Sequence, residues 1–351
     1  MKREAWAGAA VTAGLILSTS LAGQDAGVPP DSAPIAAFAP LIGEWFGEGI
    51  GRSGVDGTTQ PWTAVNRGQW IFGGQFVQVD MRVEMPALTP TPMMMRTIYG
   101  HDAETGRFHA WGVSNMGPIE SFEVFWPEDD TLLFVAAGVQ RGTPYVERGV
   151  QRYQDDSFRF EIDSIFALGK PFTQIEGDFK RKPAVGLEAI EATDAAFAVI
   201  PPAKEQGRLA ALLGTWEVQG SERAGADAEP EAFGGRQEMR TILGGAALMA
   251  TMPGADGAHQ ALSFLKWNDR DQCYDHVWFG RRGDMGTSQA RWVDERTLSL
   301  TGTKLRGGQR VLRSGALQLH PDGDQIDYVE DWIVPLAPGH RAMTVRYRRV
   351  E

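Results

Sequence analysis

Two histidines stand in matching surroundings, in His109-Ala110-Trp111 and His276-Val277-Trp278. An imidazole on a strand can act as a base, a metal ligand or an axial haem ligand. Neither has metal-site spacing, because His-x-His and His-Glu-x-x-His do not occur in the sequence. Strand alternation places each His on the face of its Trp, as a packed or half-exposed residue. No carboxylate or small polar residue follows either one to orient the ring, so haem is not expected and no cofactor is predicted. His101 and His259 read as strand-end residues, and His320 and His340 as turn residues facing solvent. Asn115-Met116-Gly117 and Asp284-Met285-Gly286 follow the two His-x-Trp strands. They could form polar loops at the rim of a site, or simply turn the chain. The candidate ligand-binding residues are therefore His109, Trp111, Asn115, Met116, His276, Trp278, Asp284 and Met285.

Signals for other chemistry are missing. There is no Gly-x-Ser-x-Gly elbow and no Walker or dinucleotide fingerprint. The single cysteine, Cys273, reads as an inert thiol and rules out an intrachain disulfide. The acidic run Asp322, Asp324, Asp327, Glu330, Asp331 lacks the EF-hand pattern, so no metal site is predicted. Pro321-Asp322-Gly323-Asp324 reads instead as a hairpin turn. The 351 residues carry 45 acidic and 34 basic side chains, a net charge of −11, which argues against nucleic acid as a partner.

Residues 1–22 read as a secretory signal peptide. Lys2 and Arg3 precede an apolar stretch, and Ser20-Leu21-Ala22 supplies small residues before Gly23. The expectation is an exported protein, periplasmic or extracellular, and not membrane-embedded. Residues 23–37 read as a flexible segment.

The remaining chain repeats itself. Leu41-Ile42-Gly43-Glu44-Trp45 matches Leu212-Leu213-Gly214-Thr215-Trp216, and Ile71-Phe72-Gly73-Gly74 matches Ile242-Leu243-Gly244-Gly245, both 171 residues apart. His109-Ala110-Trp111 matches His276-Val277-Trp278 at 167, and Phe179-Lys180-Arg181 matches Tyr347-Arg348-Arg349 at 168. Five ordered matches, counting the Met116 and Met285 loops, define tandem copies over 38–182 and 209–351. The intervening 183–208 reads as a linker, with a short helix over Leu187–Ile200 that Pro201-Pro202 stops.

Each copy reads as all-β. Val77 to Met85 alternates apolar and polar residues with period two. Further strands are expected over 62–71, 94–100, 107–113, 119–125, 131–137, 146–153, 158–166 and 173–180. With the strand from Gly43 they make about ten, and a sheet of that size curls or closes into an up-and-down barrel. The Gly-Gly pairs are expected at a tight turn or bulge where a side chain would clash.

Gly-x-Trp on the first strand, a long meander and a basic last strand resemble the calycin barrels (lipocalins, fatty-acid-binding proteins, nitrobindin). More specifically, each copy resembles the domain-of-unknown-function family numbered 1579. The residues concerned are Gly43-Glu44-Trp45, Gly73-Gly74, Tyr99-Gly100-His101-Asp102, Trp111, Met116 and Phe179-Lys180-Arg181. Their counterparts are Gly214-Thr215-Trp216, Gly244-Gly245, Trp267-Asn268-Asp269, Trp278, Met285 and Tyr347-Arg348-Arg349. The resemblance implies a fold and an exported bacterial setting, and no established activity. It also implies a Trp plug at one barrel end, covered by a basic residue of the last strand: Lys180 or Arg181 over Trp45 and Arg348 or Arg349 over Trp216, with Arg181 and Arg348 preferred. Gly47-Glu48-Gly49-Ile50-Gly51 resembles the opening of nitrobindin-type haem barrels, a feature the second copy lacks.

Met93-Met94-Met95, with Met81, Met85 and Met116, suits an irregular apolar ligand or fills a core. The function expected is binding of a small apolar or amphipathic molecule in one or both barrels. The rivals are an enzyme using His109 or His276 as base, and an interaction protein with filled barrels.

Overall fold

The computed structural model describes residues 33–52, 57–87, 91–140, 143–166, 169–181, 204–223, 226–253, 259–281, 283–306, 309–333 and 339–350. The expected signal peptide, 1–22, and the helix expected over Leu187–Ile200 lie outside them. The chain is all-β, with two closed ten-stranded antiparallel barrels and a short helical segment between them in sequence.

Barrel 1 comprises β1 (Gly43–Gly51), β2 (Gln60–Ile71), β3 (Phe76–Glu84), β4 (Met93–Asp102), β5 (Arg107–Ser114), β6 (Glu120–Glu128), β7 (Thr131–Gln140), β8 (Thr143–Gln154), β9 (Ser157–Phe166) and β10 (Phe172–Arg181). Each strand pairs with the next, and β1 closes on β10. All the strands expected from the sequence are present, most of them longer by a few residues. Closure leaves no strand edge open to another chain.

The segment expected to be flexible is ordered from Pro34, where a 3₁₀ helix runs to Leu41. Three residues per turn put Ile35, Phe38 and Leu41 on one face. All three are buried. Phe38 sits among Tyr99, Phe108 and Trp126, at ring distances of 5.2, 5.1 and 5.9 Å, and closes that barrel end.

Barrel 2 comprises β11 (Gly214–Glu222), β12 (Glu231–Ile242), β13 (Ala247–Pro253), β14 (His259–Asn268), β15 (Cys273–Gly280), β16 (Met285–Trp292), β17 (Thr297–Arg306), β18 (Gln309–Leu319), β19 (Gln325–Ile333) and β20 (His340–Arg349). Its end is covered by α1 (Lys204–Arg208) and a 3₁₀ turn, Leu209–Leu212, whose two leucines are buried. The stretch from Lys204 thus belongs to barrel 2 rather than to a linker. The Tyr274 hydroxyl donates to the Glu205 carbonyl at 2.5 Å, and the Trp267 amide donates to Gln206 Oε1 at 2.8 Å.

The Gly-Gly pairs do form the β2–β3 and β12–β13 turns, but not for want of space. A methyl group at Gly73 or Gly245 would meet nothing within 4 Å. The reason is conformational: Phe72, Gly73 and Gly74 take φ of 55°, 65° and 85°, and Leu243, Gly244 and Gly245 take 54°, 66° and 88°. Only glycine adopts such a run cheaply.

Strand pairing also corrects the alignment of the copies. Trp45 faces Asn66 where Trp216 faces Gln237, 171 residues on for both partners. Tyr99 faces Ala110 where Leu265 faces His276, 166 residues on for both. The offset changes across the β3–β4 connection, so His276 corresponds to Ala110 and Trp278 to Gly112. His109 and His276 are not equivalent, and a one-residue slip puts them on opposite faces.

Candidate functional site

The plug ends of the two barrels share one device. The Arg181 guanidinium lies 4.3 Å from the Trp45 ring, and its Nη1 donates to the Ile42 carbonyl at 2.8 Å. Arg349 lies at the same 4.3 Å from Trp216 and donates to Leu213 and Ala211 carbonyls at 2.6 and 3.2 Å. Arg348, the residue expected there, is opposite Glu217, one position off the plug. Register decides this, because Trp216 pairs with Arg349 as Trp45 pairs with Arg181. The motif's glycine makes the contact possible: a Cβ on Gly214 would sit 2.6 Å from Arg349 Nη1. Each arginine thus stacks on an indole and satisfies carbonyls at the end of the preceding helical turn.

Beyond the plug the interiors diverge. Barrel 1 holds a cavity of about 240 Å³. One wall carries Met81, Met85, Met93 and Met95, with Met81 and Met95 directly opposite across β3 and β4. Trp62, Phe122, Phe134, Phe158 and Phe160 make the aromatic walls. Inward residues of β3 follow the alternation read from the sequence, while outward Asp80 accepts from Arg96 Nε at 2.6 Å. Of the sequence candidates, none lines this cavity. His109 is half-buried on the outer face and stacks on Trp111 at 5.7 Å, because the β5 residues that line the interior are those in register with Ala110. Asn115 is structural: it accepts from the Met94 amide at 3.0 Å and donates to the Pro92 carbonyl at 2.9 Å, tying two connections together. The Met116 amide donates to Ser114 Oγ at 3.2 Å.

The polar groups on the cavity wall were missed by the sequence reading. They are Asn66, Thr97, Glu120, Glu147, Gln151 and Gln174. Glu120, Glu147 and Gln174 come from the strand ends opposite the plug. Ser164 is completely buried. It contacts Glu147 Oε1 at 3.3 Å and Gln174. Burial holds the Glu147 carboxyl above the usual range, against the Ser164 contact that pulls it down. Asn66 Oδ1 and the Trp45 and Trp62 indole N–H groups are buried without hydrogen-bond partners. Among the described residues no histidine or cysteine is on the wall, so the Gly47–Gly51 resemblance brings no such haem ligand with it there. Those glycines instead admit the barrel's own rings, since a Cβ on Gly49 would lie 2.7 Å from Trp62.

In barrel 2 the same space is occupied. Trp278, in the place of Gly112, is 1% exposed, and Gly286 leaves room for it, since a Cβ there would come within 2.6 Å of the indole. His276 is buried, with Nδ1 2.7 Å from Ser288 Oγ. The polar residue that meets this ring comes from the neighbouring strand rather than from the residues that follow His276. Burial, with the nearby Arg313 charge, pulls the His276 imidazole down to about 3. A base so weak, sealed among side chains, is poorly suited to proton transfer.

At the centre Arg313 Nε and Nη2 donate to the two Glu330 carboxylate oxygens at 2.8 and 2.6 Å. The Tyr328 hydroxyl and the Trp332 indole N–H also donate to Glu330, both at 2.5 Å. Arg313 lies 5.0 Å from the Trp278 ring. Burial raises the Glu330 carboxyl, but Arg313 and these donors outweigh it and leave the group below its ordinary range. Asp284 and Met285 precede and open β16. The Asp284 carbonyl accepts from the Gly280 amide at 2.7 Å, a turn contact. Of the turn-residue histidines, His320 bonds Asp327 at 2.8 Å and His340 meets Trp332 edge to face at 5.9 Å, rather than facing solvent freely. Cys273 is buried, and its thiol is raised first by that burial. Among the described residues no group of three or more His, Cys, Asp and Glu could hold a metal. No described helix is long and apolar enough to cross a membrane.

The chain is weakly similar to several solved structures. Rv2717c from M. tuberculosis is 14% identical with a TM-score of 0.34, over 43% of this chain and 99% of its own. A protein of unknown function of the DUF3598 family, from Nostoc punctiforme PCC 73102, is 13% identical with a TM-score of 0.28, over 91% and 100%. No curated protein matches the chain. Residues 201–311 match the family described as "Protein of unknown function (DUF1579)", so the C-terminal half of this tandem-barrel chain carries a DUF1579 domain.

Proposed function

We propose that barrel 1 binds a small apolar or amphipathic molecule, and that barrel 2 is a filled, structural partner. One observation carries the reading: a cavity of about 240 Å³, walled by methionines and aromatic rings, in the barrel whose counterpart is packed with Trp278 and the Arg313–Glu330 pair. Apolar pockets with a few polar groups suit small ligands. Flexible thioethers fit irregular apolar shapes. A rival reading as an enzyme has less support, since His109 is outside the cavity and His276 is enclosed.

Titration with N-phenyl-1-naphthylamine tests it. Binding should raise probe emission and quench Trp45 and Trp62. The double change Gly112→Trp with Glu120→Gly reproduces the Trp278 and Gly286 arrangement and should abolish binding while the barrel stays folded. Equal binding by that variant would refute the assignment. Mass spectrometry of co-purifying molecules would then identify the natural ligand. We also propose that the protein is exported, on the composition of residues 1–22; N-terminal sequencing of the mature chain checks this.

A further inference from the structure

We propose that the molecule taken by barrel 1 is a cationic amphiphile, an alkyl- or aralkyl-ammonium rather than a fatty-acid-type anion. This rests on the binding reading above and specifies the ligand's charge. Among the described residues, the only charged side chains on the cavity wall are Glu120 and Glu147. Strand alternation keeps the neighbouring cations out. On β8, Glu147 and Gln151 point inward, while Arg148 and Arg152 point outward to Asp163 and Glu161, at 2.5 and 3.1 Å. An anionic head group would thus join the Glu147 carboxylate, and among the described residues no cation lines the cavity.

The second barrel shows what an interior carboxylate of this fold requires. Glu330 is met by Arg313, Tyr328 and Trp332. By strand pairing, Glu147 occupies the place of Arg313, opposite Ala136 as Arg313 is opposite Gly302, and Ile162 occupies the place of Glu330. Barrel 1 therefore carries an inward carboxylate whose hydrogen-bond partner is the neutral Ser164. The cation that barrel 2 builds in is left for the ligand of barrel 1. The aromatic rings on the cavity wall also suit an ammonium group. The faces of Trp62, Phe122, Phe134 and Phe160 can stabilise a cation through their quadrupoles.

The test is displacement of N-phenyl-1-naphthylamine from the purified full chain by decylamine, decanoate and 1-decanol at about pH 7.5, where the amine is cationic. Decylamine should displace the probe at roughly tenfold lower concentration than decanoate, with decanol between them. Glu147→Gln should shrink the amine's advantage over decanol several-fold. Equal potency of amine and decanoate, or an amine preference indifferent to Glu147→Gln, would overturn the charge assignment while leaving the binding reading intact. Failure of the neutral probe to bind would overturn both.

Discussion

Where barrel 1 has Gly112, Ala110, Glu147 and Ile162, barrel 2 has Trp278, His276, Arg313 and Glu330. The ends, by contrast, match closely, with the same Gly-x-Trp, the same stacked arginine at 4.3 Å and the same positive-φ turn. The frame is therefore independent of what fills it. Closure and plug hold the strands, and a handful of inward positions decide between a cavity and a packed core. Large-to-small exchange at such positions normally costs stability. Barrel 1 has the small residues, Gly112 and Ala110, where barrel 2 has Trp278 and His276.

The largest effects should come from splitting the buried pair of barrel 2. Glu330→Gln or Arg313→Met alone should destabilise that barrel by about 3–5 kcal/mol, since each strands a buried partner. The double change Arg313→Met with Glu330→Leu should cost clearly less. Hydrogen exchange resolved by peptide reads the two barrels separately, and additive losses in the double variant would break the picture of one coupled network.

Trp45→Ala and Trp216→Ala should each cost about 3–5 kcal/mol, the usual loss for a large buried aromatic, and each should loosen its own barrel. Loss in both barrels from either change would show that they do not close independently.

Acid should separate the two. His276 titrates at about 3 in the folded barrel against 6.5 unfolded, so the unfolded chain binds more protons between those values. Its contribution is complete above about pH 6.5 and is lost as pH falls, by about 2 kcal/mol at about pH 5. Glu147 has the opposite sign: its raised folded pKa lets barrel 1 gain as pH falls toward the carboxylate range. His109, also lowered by burial, opposes that gain from the outer face. Barrel 2 should thus unfold first in a urea series at descending pH, and His276→Phe should narrow the gap. Earlier acid unfolding of barrel 1 would contradict this ranking.

The smallest changes concern the plug cations. Arg181→Leu and Arg349→Leu each remove a cation over an indole, worth about 0.5–2 kcal/mol. Similar losses at both sites in thermal scans would confirm the shared device, whereas Arg348→Leu should change little.

Much of the frame was legible from short signals. Gly43-Glu44-Trp45 and Gly214-Thr215-Trp216 mark the plugs, because a chain passing that close to an arginine tolerates no side chain. Val77 to Met85 announced its inward face through clean alternation, and Val79, Met81, Val83 and Met85 do line the cavity. The β5 strand gave no such clue. Trp111 and Val113 on one face, and Ala110 on the other, are all buried. With both faces apolar, the matching His-x-Trp words suggested an equivalence that strand pairing denies.

The sequence by itself determined the duplication, the strand count and the plugs, because these depend on local period and on residue types that few backbones accept. Only the tertiary structure decided which barrel is hollow. That depends on register, and a shift of one residue moves His276 and Trp278 inside while leaving His109 and Trp111 outside. It depends too on which inward residues meet across the barrel: Arg313 finds Glu330, and Glu147 finds only neutral groups. Such partners come from strands paired by closure, and no local pattern in the chain encodes that pairing.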